Sequence, residues 1–206
     1  NYRKVGRSYP HHTTREKMRA VDGLLEKDDE PAIRPYLWRF LDRHVAFEDN
    51  RLNDRMGGVL WDLCSDQQVY LMTMTTKVLG GGAGLCVSAG VTDKDAFCGR
   101  GGKDIIPLYR NADGTEPNIT RGILALLSNM YGCSVTAEDF TAYVYAVMGG
   151  QSYTRRFWNE LETPGPRVPL TKDGGTFAKA AKLGRKLIWL HTYSERYRGG
   201  DRGDEI

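Results

Sequence analysis

The chain has no apolar run long enough to cross a bilayer, so a membrane-spanning class is not expected. Cysteine and histidine are scarce. The four cysteines, Cys64, Cys86, Cys98 and Cys133, include no C-x-x-C pair, and His11, His12, His44 and His191 stand at no zinc-finger spacing from them. Structural metal is therefore not expected, and the thiol usage fits a reducing cytoplasm without disulfides. Cys64, Cys86 and Cys133 lie among apolar residues and are expected to be buried, whereas Cys98 falls in a glycine-rich loop.

Catalytic signatures are also missing. The run Gly80-Gly-Gly-Ala-Gly84 precedes a strand-like stretch and carries no Gly-Lys-Ser/Thr, so it is not a phosphate-binding loop. It reads as a linker or as a place where backbone closely approaches a ligand. There is no Asn/Asp-Pro-Pro-Tyr/Phe turn, no cofactor-binding glycine motif after a strand and no Asp…Glu-x-Lys cluster. None of the histidines has the setting of a general base, and His191 fits a core or capping place on a helix. No catalytic centre, and no cofactor of its own, is expected in these residues.

What is present permits a core. The chain has 206 residues, 40% hydrophobic and 10% aromatic, which suits one domain or one domain with an appendage. It begins at Asn1 rather than Met, so a piece of a longer protein is expected. The net charge of +3 decides little by itself, but its distribution is uneven. Residues 1–20 carry six Lys/Arg against one Glu, residues 21–33 five acids against one Lys, and residues 151–206 eleven bases against seven acids.

Residues 1–30 predict a connector with a helix over about Thr14–Leu25, started by a Thr13/Glu16 capping box. Residues 32–56 interleave Arg34, Arg39, Arg43, Arg51 and Arg55 with Tyr36, Trp38, Phe40 and Phe47, and alternate like a strand from Tyr36 to Phe47. Arginine reads guanine bidentately and clamps phosphate. Asp42, Glu48, Asp49 and Asp54 could equally pair with those arginines on an ordinary surface. Strands are predicted over Val69–Thr75, Leu85–Ala89 and "IIPLY" (105–109), the last one buried. Asn118 is predicted to cap a helix carrying Ile123, Leu126, Leu127 and Met130 and closed by Gly132.

From Thr136, placed three residues before Asp139, a capping box predicts a helix with Phe140, Tyr143, Val144, Val147 and Met148 on one face, stopped at Gly149-Gly150. Tyr153, Phe157 and Leu161 make a shorter amphipathic run. Three prolines between Thr163 and Asp173 exclude a helix there, and Arg167–Leu170 is read as a strand returning to the sheet. Asp173 is expected to cap a last helix from Phe177 to about Tyr193, with Phe177, Ala180, Ala181, Leu187, Ile188 and Leu190 as its apolar face. The charged, glycine-rich tail after Tyr193 is expected to be disordered, with 199–206 beyond the domain.

Three stretches carry a resemblance: "FTAYVYAVMGGQSYTRRFWNEL" (140–161), "PRVPLTKD" (166–173) and "FAKAAKLGRKLIWLH" (177–191). They are similar to the C-terminal end of type ISP restriction–modification enzymes, through Tyr143, Tyr145, Tyr153, Phe157, Arg167, Pro169, Leu170, Lys172, Asp173, Leu183, Gly184, Leu187, Leu190 and His191. Upstream, Arg34-Pro35-Tyr36 with "RHVAFEDNRLND" (43–54), and Phe97, Gly99, Arg100, Gly101, Gly102, Pro107, Leu108 and Tyr109, extend the likeness to about residues 31–193. The family joins an adenine methyltransferase, which uses S-adenosylmethionine, to a target recognition domain.

The resemblance implies a cytoplasmic, double-stranded-DNA-recognising domain over 31–198, with the methyltransferase upstream in the same chain. It makes Arg34, Arg39, Arg43, Arg51, Asn53, Arg55, Arg100 and Lys103 the candidate DNA contacts. The expected fold is α+β, a twisted mixed or antiparallel sheet over about 33–110 packed by C-terminal helices. Two other readings stay open: a protein–protein scaffold module, and a stand-alone enzyme using the glycine turn around Arg100.

Overall fold

The alternation from Tyr36 to Phe47 folds as a hairpin in the computed structural model, which describes residues 32–48, 58–93, 96 and 104–197. Strand β1 (Ile33–Arg39) pairs antiparallel with β2 (Asp42–Phe47), from Ile33 opposite Phe47 to Arg39 opposite Asp42, with a register shift between Leu37 and Arg39. Phe40 and Leu41 make the turn, and Leu41 has φ 61, a left-handed conformation rare for so bulky a residue. The other edge of β1 takes the short parallel strand β5 (Val91–Thr92).

A second sheet is antiparallel. Its centre is β3 (Tyr70–Thr73), flanked by β4 (Cys86–Ser88) and β6 (Asp104–Pro107). The expected α+β class holds, with the strands divided between two three-stranded sheets. Both faces of β3 are covered, which parts the sheets. On one face Met72 packs with Leu37, Cys86 and Ala96, and Tyr70 with Trp61 and Val91. On the other, Leu71 and the preceding Val69 meet the helical core. The edge strand β6 is half-buried; burial is complete only at Leu108 and Tyr109 just beyond it.

The helices are α1 (Gly58–Asp62), α2 (Ile123–Tyr131), α3 (Ala137–Met148), α4 (Gln151–Arg156) and α5 (Gly174–His191), with a 3-10 turn over Glu160–Glu162. Local signals set most ends. Thr136 and Asp139 form the expected capping box, Asp173 accepts from the Thr176 amide at the start of α5, and left-handed Gly132 closes α2. Asn118 is not the cap of α2; Gly122 holds that place. The Asn118 amide instead donates to the Pro107 carbonyl at 3.0 Å, and its oxygen accepts from Arg110 at 3.1 Å.

Helices α3 and α5 meet at backbone distance. Ala142 is fully buried, and a Cβ added at Gly184 would stand 1.8 Å from the Ala142 carbonyl oxygen. This approach brings Phe177 onto Tyr143, with ring centroids 4.8 Å apart, and buries Ala181 and Ile188. Leu190, placed on the apolar face by spacing, is exposed, because two residues on from the buried Ile188 is more than half a turn round a helix of 3.6 residues per turn, on the opposite side.

The segment before α5 is not a strand and does not return to either sheet. Pro166 and Pro169 have no amide proton to offer a ladder. Their neighbours' carbonyls are taken by tyrosines: Tyr153 donates to Arg167 and Tyr143 to Pro169, both at 2.7 Å, and Tyr131 donates to Thr171 at 2.6 Å. The glycine run 80–84 is likewise anchored. Gly84 donates to the Met148 carbonyl at 2.8 Å, and the Thr154 hydroxyl donates to Gly82 at 2.6 Å.

Cys86 is buried, but Cys64 and Cys133 are exposed, contrary to their apolar surroundings in sequence. Helix α1 has five residues and turns Trp61 inward, which leaves Cys64 beyond it at the surface. Cys133 follows the closing glycine of α2.

Two outcomes follow from these contacts. Ala exceeds Gly in helix preference by about 1 kcal/mol, but overpacking costs roughly 1–3 kcal/mol even where side chains can yield. At Gly184 the obstacle is backbone, so Gly184→Ala is expected to lower stability in urea unfolding; an unchanged or raised midpoint would contradict the packing. Burial pushes the Asp139 carboxyl up, yet hydrogen bonds from Arg185 and Thr136 outweigh it and hold the group below its ordinary range. A depressed carboxylate stabilises the fold above its unfolded value, about 3.9, and that stability goes as pH falls through the lower folded value. Asp139→Asn should therefore remove part of the acid-side slope in melting temperature measured between pH 6 and pH 2.

Candidate nucleic-acid interface

Of the eight sequence-predicted contact residues, Arg34, Arg39 and Arg43 lie on the hairpin, and Arg51, Asn53, Arg55, Arg100 and Lys103 lie outside the described residues. The three hairpin arginines are in different states. Arg34, exposed, donates to the half-buried Glu48 at 2.6 Å, the ordinary surface pairing that the nearby acids allowed. Arg43 pairs with Glu195 and lies over the Tyr193 ring, 4.9 Å from its centroid. Arg39 is exposed at the turn, with no ion pair among the described residues. Beside it, Trp38 and Leu41 are 38% and 43% exposed.

The turn is braced from behind by the end of the chain. The Tyr193 hydroxyl donates to the Leu41 carbonyl. The Phe40 ring meets His191 edge-on, with centroids 5.3 Å apart. His191 in turn shares a 2.6 Å hydrogen bond between its Nδ1 and the Tyr145 hydroxyl. Burial lowers the pKa of His191, which suits the core role read for it.

The tail that makes these contacts is ordered as far as Tyr197, contrary to its composition. Arg196 is the reason. Its guanidinium donates to the carbonyls of Gln68 at 2.6 Å, Ser65 at 3.0 Å and Ala89 at 2.8 Å. Burial pulls its pKa below the usual arginine value. Gln68, fully buried, completes the junction by bonding both ways with Tyr109, through N–H to carbonyl at 2.9 Å and from the Tyr109 amide at 3.0 Å. Sequence reasoning passed over Gln68, Tyr193, Glu195 and Arg196. Nothing periodic marks them, and the only sign was a pair of aromatic residues in an otherwise polar tail.

Small-molecule chemistry finds little room here. The crevice between the hairpin and the tail, lined by Tyr36, Arg43, Ser88 and Thr192, holds about 20 Å³, the space of a water. A groove of about 260 Å³ beside α4, lined by Tyr153, Phe157, Glu160 and Arg167, falls below the usual volume of enclosed ligand sites. Among the described residues no three His, Cys, Asp or Glu side chains gather as a metal site, and no helix is long and apolar enough to cross a membrane. What the described surface offers is a braced hairpin presenting arginine and aromatic side chains.

Comparison with known proteins gives a coherent set. The family pattern described as "Type ISP C-terminal specificity domain" matches residues 3–204. Among solved structures, the DrdV–DNA complex contains a similar fold, with TM-score 0.64 and 19% identity over 93% of this chain and 20% of that one. The ATP-dependent Type ISP restriction–modification enzyme LlaBIII bound to DNA gives 0.60 and 17%, over 93% of this chain and 14% of that one. A nuclease-deletion mutant of the Type ISP enzyme LlaGI with a DNA substrate mimic gives 0.54 and 17%, over 93% and 19%. The chain thus spans at most a fifth of the length of these solved chains. No curated protein matches it.

The Arg196 junction makes a clear expectation. Lysine keeps the charge but cannot fork to three carbonyls. Arg196→Lys should cost about 1–3 kcal/mol through acceptors left unpaired, read as a shifted urea midpoint with an unchanged slope. Wild-type stability would show that the carbonyls find other donors.

Proposed function

The chain belongs to the Type ISP C-terminal specificity domain family, and from that membership we propose that it selects the duplex DNA sequence on which a larger restriction–modification enzyme acts. The adenine-N6 methyltransferase of that enzyme, with its S-adenosylmethionine, would lie upstream in the same cytoplasmic chain and act on a flipped base. The specificity domain holds the duplex and supplies the choice of site. The solved proteins that share the fold were captured with DNA, which supports the reading.

The observation that carries it is the braced hairpin tip. A DNA reader needs side chains that reach past the backbone while their base stays fixed, and Arg39 meets both needs. Arg34 and Arg43 start from ion pairs with Glu48 and Glu195, so phosphate contact would require exchange of partners. Arg51, Asn53, Arg55, Arg100 and Lys103 are candidates for the same DNA by their chemistry, arginine being suited to guanine and asparagine to adenine. A second reading has its own observation. Leu126 and Met130 are exposed on α2 and suit contact with another domain, which would make the module a scaffold.

Binding of the chain to duplex DNA should fall steeply with salt, because each lysine or arginine on a phosphate releases counterions. Absence of binding at 50 mM salt would favour the scaffold. In the parent enzyme, Arg39→Ala should lose about 1–3 kcal/mol of discrimination at one base pair if it reads a base. Methylation of singly substituted sites measures this. Uniform weakening, with a salt slope smaller by about one, would instead assign Arg39 to phosphate.

A further inference from the structure

Leu41 occupies a place that suits a leucine badly. It is the second residue of the turn between β1 and β2 and has φ 61, while Phe40 before it does not share that conformation. A positive φ at the second place of a tight turn is usually taken by glycine or asparagine, because a side chain with a Cβ is strained there. Burial does little to offset the strain, since Leu41 is 43% exposed. The fold nevertheless fixes the residue. The Tyr193 hydroxyl donates to its carbonyl, and Phe40 meets His191 edge-on behind the turn. Strained residues that their surroundings hold in place gather at ligand contacts.

The tip around it fits one groove of DNA. Strand β5 reaches only Tyr36 and Leu37 of β1, so from Trp38 to Asp42 the described ribbon is two strands wide. The major groove of B-DNA, about 12 Å wide, admits a two-stranded ribbon, whereas the minor groove, about 6 Å wide, would first have to be opened. In the major groove the bases present donors, acceptors and one apolar group, the 5-methyl of thymine. Arg39 and Leu41 are two residues apart, at most about 7 Å along the chain, and base-pair steps are about 3.4 Å. The tip can therefore touch neighbouring base pairs with both. Asp42, the acid beside Leu41, is hydrogen-bonded to His44 at 3.0 Å on its own strand. An exposed aliphatic side chain next to an exposed arginine complements a thymine methyl next to a base that offers acceptors.

We propose that Leu41 reads the 5-methyl group of a thymine in the recognised site, within about two base pairs of the pair that Arg39 touches. This rests on the DNA-recognition reading and adds to it the base and the atom that are read. The test uses the full-length parent enzyme and duplexes carrying its site, with each thymine replaced in turn by deoxyuridine. That replacement removes the methyl and leaves every hydrogen-bonding group of the base as it was. Methylation rates are measured for the wild type, Leu41→Gly and Leu41→Asn. Each protein is scored by the ratio of its rates on the thymine and deoxyuridine duplexes, so a loss of folded enzyme cancels. One replacement should slow the wild type by about fourfold, the factor for one buried methyl group. Both variants should treat the two duplexes alike at that position. A wild type indifferent to every replacement overturns the proposal, and so does a deoxyuridine effect that persists undiminished in both variants; either result leaves the DNA reading standing. Failure of the wild-type chain to bind duplex DNA at 50 mM salt overturns the reading beneath it.

Discussion

The backbone contact between Gly184 and the Ala142 carbonyl governs how the rest of the chain is placed. It sets the separation of α3 and α5, and so decides where α5 ends. That end delivers His191 to Tyr145 and Phe40, and the residues after it to the hairpin and to the carbonyls of Ser65, Gln68 and Ala89. A helix pair held apart by one methyl group would displace the far end of α5 and, with it, the support of a turn in another layer. A single glycine is thus coupled to a surface it does not touch.

The hairpin surface illustrates how charge is sorted. Of the arginines on β1 and β2, the fold neutralises two with carboxylates and leaves the turn residue to solvent. An exposed pair contributes little to stability, so the Arg43–Glu195 contact matters more for geometry, since it fixes a tail whose other attachments are Arg196 and Tyr193. The outcome is a hairpin braced from behind, with one arginine at its turn left to solvent.

What was legible in the sequence was local. The Thr136–Asp139 box, the Asp173 cap, the Gly132 stop and the strands around Tyr70 and Cys86 depend on neighbours within a few residues, and they stand where spacing put them. The hairpin turn escaped notice because Phe40-Leu41 contains no glycine, asparagine or proline; Leu41 is held in its left-handed conformation by tertiary contacts. Residues 167–170 looked like a strand because extended proline-rich chain and strand share a pattern, and only the tyrosines of α2, α3 and α4 decide between them. For the site, the arginines could be found but not their states. Whether Arg43 is committed depends on Glu195, 152 positions away.

That separation of 152 positions also has a meaning in time. The hairpin is made before its brace. At about 5–20 residues per second, roughly 8–30 s pass between synthesis of Arg43 and of Glu195. For most of that interval β1 and β2 are present without α5 and without the tail that braces their turn. The nascent chain therefore carries an unbraced hairpin turn for a period far longer than hairpin formation itself, which takes microseconds. The order in which the chain is made leaves the hairpin turn unbraced until Tyr193, Glu195 and Arg196 have been added, so a product that stops before them lacks that support.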